Sequence, residues 1–278
     1  MNVLELTLLV GASSGLAGFL GALTGLGGGT ILVPVLTLLF DVDIRYAIGA
    51  SLVSVIATSS GAAAAYVKEG FTNIRIGMFL EVATTIGALF GAAIATMVST
   101  SLIAVIFGVV LLYSAYLSIR PKRDRPTSSS PDPLADRLNL NGCYPTAEGV
   151  QAYRVQRVPL GFGLMLVAGA LSGLLGIGSG AVKVLAMDQA MQLPFKVSTT
   201  TSNFMIGVTA AAGAGLYLNR GYIDPGLSMP VMLGVLAGSL WGARVLVRSQ
   251  VGWLRQVFSG VIALLAVQMI FNGFTGRI

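Results

Sequence analysis

Apolar runs of about 20 residues recur along the whole chain, and nothing else in the sequence constrains the fold so tightly. A helix needs roughly 20 apolar residues to cross the hydrocarbon core of a bilayer. The runs fall at about 3–23, 28–40, 46–67, 75–97 and 101–119. Beyond a polar stretch they resume at about 158–176, 180–191, 197–218, 226–247 and 253–273. Charged residues make up only 10% of the 278 positions and hydrophobic ones 55%, whereas soluble domains carry about 25% charge. The chain lacks the polar surface to cover itself in water, and the class that follows is an all-α polytopic membrane protein. Its net charge of +6 does not point to nucleic acid. Much of it lies in the polar stretch and at helix ends, where the positive-inside bias places it. The first 20 residues, MNVLELTLLVGASSGLAGFL, have no basic n-region and read as a retained first span rather than a cleaved signal.

The two sets of runs superpose without a gap. Gly18, Gly25, Gly27 and Gly29 fall on Gly169, Gly176, Gly178 and Gly180. In the same register Ser51 falls on Ser202, Thr58 on Thr209, Tyr66 on Tyr217, Gly70 on Gly221, Gly87 on Gly238 and Gly91 on Gly242. One register that catches a tyrosine and a GxxxG pair marks an internal duplication. The chain thus divides into a first membrane repeat, 1–119, a polar connector, 120–157, and a second membrane repeat, 158–278.

Loop charge sets the expected orientation of the repeats. The connector holds Arg120, Lys122, Arg123, Arg125, Arg137, Arg154 and Arg157 and is expected in the cytoplasm. Counting back puts the Lys68–Arg75 loop inside and the uncharged Val98–Ser101 turn outside. The second-copy equivalent of that turn, Ser249–Gly252, is flanked by Arg244, Arg248 and Arg255 and should lie inside. Matching loops of opposite character predict inverted repeats of about five segments each, both termini outside. The second segment of each repeat is short for a full span and is open to being a half-helix. In the connector, Asn141-Gly142 and the alternating AYRVQRV predict a small hairpin.

TGLGGGTILVP (Thr24–Pro34) and its counterpart LGIGSGAVKVL (Leu175–Leu185) place glycine clusters inside apolar runs. Glycine costs roughly 1 kcal/mol against alanine within a helix, and non-helical backbone survives in a bilayer only inside protein or beside a cavity. Paired interruptions in inverted repeats point to a midplane transport site. The N-terminus of the helix resuming after each break suits an anion. Candidate ligands are therefore Gly27, Gly28, Gly29, Thr30, Gly178, Ser179 and Gly180. Gly18, Gly87, Gly91, Gly238 and Gly242 are instead expected to serve close helix packing. A Walker phosphate loop is excluded, because GxxxxGK[ST] is absent.

Polar residues inside the spans complete the candidate set. Lys183, three positions past Gly180, needs a partner or a cavity at a bilayer cost of roughly 2.5–3.5 kcal/mol. It either supplies positive charge to the site or pairs locally with Asp188. AIGASL (Ala47–Leu52) and STTTSN (Ser198–Asn203) align, adding Ser51, Thr201, Ser202 and Asn203, unless their hydroxyls merely bond back to the preceding turn. Glu81 is a coupling candidate, although its place near the cytoplasmic end favours an ordinary interfacial carboxylate. The chain has no histidine and one cysteine, Cys143. That removes the usual general base, an intramolecular disulfide and a multi-cysteine metal cage.

GFLGALTGLGGGTILVPVL with AIGASL, and GALSGLLGIGSG with STTTSN, resemble the TauE/SafE sulfite exporter family of membrane permeases across both hydrophobic halves. The resemblance implies transport of sulfite or small organosulfur anions across the bacterial inner membrane. Onto matching positions it carries Gly27, Gly28, Gly29 and Ser51, with Gly178, Ser179, Gly180 and Ser202. Three positions depart from the family pattern: Ala50 replaces a frequent threonine, Ser179 the central glycine, and Leu185 stands opposite Pro34. The expectation is a secondary transporter of a small anion such as sulfite, a sulfonate or sulfoacetate, working by alternating access. The alternatives are a passive anion channel and a membrane assembly factor without transport. No enzymatic activity, cofactor or metal is expected. The partners expected are the anion, the lipid bilayer and a second copy of the chain in a homodimer.

Overall fold

The computed structural model describes residues 3–24, 29–68, 71–119, 132–146, 149–248 and 251–276. Among these the chain is mostly helical, and the elements follow the apolar runs closely. The first half gives α1 (Val3–Thr24), α2 (Gly29–Leu39), α3 (Ile44–Lys68), α4 (Ile74–Ala95) and α5 (Thr100–Ile119). The connector contributes α6 (Pro133–Arg137) and a hairpin, β1 (Gly142–Thr146) and β2 (Gly149–Tyr153). The second half gives α7 (Val158–Leu175), α8 (Gly180–Leu185) running into a π-helical turn (Ala186–Ala190), α9 (Phe195–Asn219), α10 (Pro225–Arg248) and α11 (Val251–Thr275). Ile74–Ala95, Val158–Leu175 and Pro225–Gly242 are long and apolar enough to cross a membrane. The protein is a multi-pass membrane protein.

In lipid, helices gain nothing from burying apolar surface against one another, so close approach of small residues drives their packing. That is how the halves engage. α1 packs on α10 and α4 on α7, each helix choosing its partner from the other half. Any side chain at Gly18 would strike the Val235 carbonyl, and any at Gly169 the Thr84 carbonyl. Gly87 and Gly238 meet Leu166 and Gly15 in the same manner. The 151-residue register carries each of these contacts onto another, since Thr84 falls on Val235 and Gly15 on Leu166. The packing expected of Gly18, Gly87, Gly91 and Gly238 is what these glycines do.

Directions follow from the same contacts. Along α1, Gly11, Gly15 and Gly18 meet Pro230, Gly234 and Val235 of α10 in rising order, so these helices run parallel. On α4 and α7, Gly87 faces Leu166 and Gly91 faces Ala170, again parallel. α3 and α9 hold equivalent places and cross antiparallel: Leu52 lies by Gly213, and Ser59 by Gly207. α5 and α11 do likewise, with Gly108 near Ala266 and Gly273 near Ser101.

The connector folds back onto one end of the bundle. Asp132 ties α6 to the start of α7, accepting from Leu134 N at 2.9 Å to cap α6 and from Val158 N at 2.9 Å. A hairpin forms, but its second strand is Gly149–Tyr153, so only Ala152 and Tyr153 of AYRVQRV lie in it, and Asn141-Gly142 lies at its base instead of its turn. There the Asn141 Oδ1 accepts from Val155 N. Asn73, the N-cap of α4, donates from Nδ2 to the Leu140 carbonyl at 3.0 Å and to the Tyr153 hydroxyl at 2.7 Å. Leu140, Tyr153, Val155 and Val158 share one core with Ile76, Leu80, Met187, Met191 and Val197. The connector thus seals one end of α4, α7, the π-turn and α9.

Candidate functional site

The second glycine cluster ends one helix and starts another. Gly176 terminates α7 in the left-handed region, φ 67°, its N–H bonded to the Ser172 carbonyl. Gly178 repeats that conformation at φ 67°, and Ser179 adopts it at φ 44° without being glycine. A left-handed backbone costs a side-chain-bearing residue about 1–2 kcal/mol, which marks Ser179 as strained. Its hydroxyl is buried with no hydrogen-bond partner, while its carbonyl accepts from Lys183 N at 3.0 Å in the first turn of α8. In the first cluster α1 ends at Thr24 and α2 begins at Gly29. Gly27 and Gly28 lie outside the described residues.

The two clusters meet. Ser51 of α3 donates to the Gly176 carbonyl at 2.7 Å across the half-to-half boundary. A Cβ at Gly29 would fall 2.6 Å from Ser51 Oγ, 3.1 Å from the Gly176 carbonyl oxygen and 3.1 Å from Val55. Val55 also faces Gly178, together with Ile206. The start of α2 therefore abuts the turn that ends α7. Thr30 is buried beside Gly29. On α9, Ser202 donates to the Gly180 carbonyl at 3.3 Å, the counterpart of Ser51 beside Gly29.

The rest of STTTSN divides. Thr199 and Thr200 bond back to the Phe195 and Lys196 carbonyls. Thr201 Oγ1 instead accepts from Asn73 N at 3.1 Å, anchoring the loop before α4. Asn203 is partly exposed.

Lys183 is wholly buried. Its Nζ donates to Thr209 Oγ1 on α9, whose own hydroxyl lies 2.7 Å from Glu81 Oε1 on α4. Thr85 donates to the same carboxylate oxygen at 3.3 Å, and Thr84 Oγ1 lies 3.4 Å from Thr209 Oγ1. The Lys183 side chain thus reaches across to α9. Glu81 is enclosed to 8% exposure, with the Thr209 and Thr85 hydroxyls on its Oε1. Thr84, Thr85, Thr209 and Asn73 were missed as site residues. The signal for Thr209 was its match with Thr58 in the repeat register. Among the described residues no group of three or more His, Cys, Asp or Glu side chains is placed to hold a metal.

Residues 10–269 match the family described as Sulfite exporter TauE/SafE. The chain belongs to that family. Among TauE/SafE-like relatives, the probable membrane transporter protein YunE of Bacillus subtilis (strain 168) is 28% identical over 93% of this chain and 95% of its own. The probable membrane transporter protein YdhB of the same organism is 27% identical, covering 82% of this chain and 83% of its own. Similarity extends to the probable membrane transporter protein MJ0441 of Methanocaldococcus jannaschii, 23% identical over 96% of each chain. No solved structure matches the chain. The TauE/SafE match takes in both glycine clusters, Glu81, Lys183 and Thr209.

Proposed function

We propose that this protein is a secondary transporter that carries a small anion, such as sulfite, a short sulfonate or sulfoacetate, across the bacterial inner membrane. The observation carrying this reading is Lys183: a fully buried cation three residues into the helix that follows a strained glycine turn. A charge is retained at that depth where it serves a ligand or a coupling ion. The anion sits between the starts of α2 and α8, where free N–H groups and helix dipoles favour negative charge. Gly27, Gly28, Gly29, Gly178 and Gly180 let the ligand approach the backbone. Thr30, Ser51, Ser179, Thr201, Ser202 and Asn203 supply hydrogen bonds as the site opens, and Lys183 supplies charge.

Access alternates as one inverted repeat moves against the other. Supporting this are the antiparallel crossings of the equivalent pairs α3/α9 and α5/α11, and the swapped pairs α1/α10 and α4/α7. The reading is tested by flux of radiolabelled sulfite and sulfoacetate in proteoliposomes. Saturable flux with counter-exchange, lost in Lys183→Ala, is the expected result. Flux of neither anion, or a Lys183→Ala variant that matches wild type, overturns it, and flux that never saturates favours a passive channel.

A further inference from the structure

The Lys183–Thr209–Glu81 array exists once in the chain. In the repeat register its equivalents are Leu32, Thr58 and Met232, which hold no charge. The array is also incomplete. Glu81 Oε1 receives hydrogen bonds from Thr209 and Thr85, but Glu81 Oε2 is buried and has no hydrogen-bond partner. An ionised carboxylate buried in a bilayer needs all its lone pairs met. The bare oxygen is where a proton would bind.

The charged surroundings are sparse. α7, packed along α4, carries no ionisable residue within Val158–Leu175. From α9 come Lys196, whose ammonium lies over the Phe71 ring, and Tyr217, whose hydroxyl meets the Leu174 carbonyl. α4 itself adds Arg75 near Asn139 in its first turn, and the π-turn adds Asp188. Lys183 is the cation joined to Glu81, through a single shared hydroxyl.

Resting on the proposed anion transport, we infer that Glu81 is the proton-binding site of the cycle, with Thr209 as its positioning residue, and that proton and anion are carried together. With the site empty, Lys183 and Glu81 balance to zero. An arriving monoanion, such as hydrogen sulfite, adds one negative charge beside Lys183. Glu81 Oε2 then takes one proton from water at the open face, and the loaded site is again neutral. On release at the other face the O–H bond breaks, the proton returns to water, and Lys183 reverts to its bond with Thr209. Both the empty and the loaded site can therefore cross the occluded state without a net buried charge.

The test is infrared difference spectroscopy of the full chain in proteoliposomes at neutral pH, with and without sulfite. Sulfite has no carbonyl group and the lipid ester carbonyls are common to both spectra, so a new carboxylic-acid C=O band reports the protein. Wild type should gain a protonated-carboxyl band when sulfite is added. Glu81→Gln should lose it, Thr209→Val should shift its frequency, and Lys183→Met should show it before sulfite arrives. Wild-type vesicles should also move more protons per sulfite than Glu81→Gln vesicles, read with an internal pH dye. Sulfite flux with neither the band nor the dye response overturns the coupling while sparing the transport reading. Absence of sulfite flux and counter-exchange overturns the transport reading and this inference with it. A band that survives in Glu81→Gln assigns the proton to another group and also overturns the inference.

Discussion

Glu81 and Thr209 stand 128 residues apart and are joined by a 2.7 Å hydrogen bond. This one bond ties α4 of the first half to α9 of the second and passes the charge of Lys183 to a carboxylate. Breaking a buried pair by removing one partner costs about 3–5 kcal/mol, whereas removing both is often close to neutral. Lys183→Met should therefore lower the unfolding temperature of the detergent-purified protein, and Lys183→Met combined with Glu81→Gln should restore most of the loss. A double variant less stable than Lys183→Met would contradict the pairing.

The contact of Gly29 with Ser51 gives a second cycle. Ser51→Ala removes one buried hydrogen bond, about 1 kcal/mol. Gly29→Ala drives a methyl group into Ser51 Oγ and the Gly176 carbonyl, an overpacking of about 1–3 kcal/mol. Because the residues touch, the double variant should cost less than the sum of the two single ones. Thermal unfolding of the four proteins measures the coupling, and strict additivity would show that Gly29 and Ser51 do not meet.

Glycine packing should obey the repeat register. Gly87→Leu and Gly238→Leu each force a side chain into a partner backbone, at Leu166 and Gly15 respectively. Both should destabilise by a similar, large amount, about 3 kcal/mol or more. Gly163→Ala and Gly215→Ala, where a Cβ would meet nothing within 4 Å, should not destabilise and should gain up to about 1 kcal/mol of helix propensity. Chemical denaturation in mixed micelles compares the four. A mild Gly87→Leu beside a severe Gly163→Ala would overturn the packing scheme.

The connector's docking should weaken in strong alkali. Burial pushes the Tyr153 phenol above its ordinary pKa of 10.0, opposed in part by its bond with Asn73. A group whose folded pKa is raised contributes stability that is whole below the unfolded value and fades as pH climbs through the folded one. Docking should accordingly hold below about pH 10 and loosen above it. Proteolysis of the connector at stepped pH reads this out. Tyr153→Phe should remove most of the alkaline step, and a step that persists unchanged in that variant would assign it elsewhere.

Much of this architecture was legible in the sequence because hydrocarbon leaves a chain few options. The ten runs became helices within a few residues of their expected limits, since composition and length alone govern insertion. The small contacts at Gly18, Gly87, Gly91 and Gly238 were legible for the same reason. The partner of Lys183 was not. A local search finds Asp188 on the same helix, whereas the observed chain through Thr209 to Glu81 depends on how α4 and α9 cross. The present partner of Thr201 was equally out of reach, since the fold sets its hydroxyl against the Asn73 backbone N–H from the other half. A hairpin in the connector was legible, but its second strand lies mostly before AYRVQRV, and its docking on the end of the bundle depends on Asn73, far away in sequence.

The exchange of partners between halves also dictates an order of assembly. Gly11, Gly15 and Gly18 present a smooth flank whose partner helix begins at Pro225. During synthesis the first helix enters the bilayer long before that partner exists, and α4 must likewise wait for α7. Neither half is a finished module. The protein is completed late, when α10 slides in beside α1. Two fragments made as separate chains, divided within the connector, would have to find each other in the membrane before either acquired its mature packing.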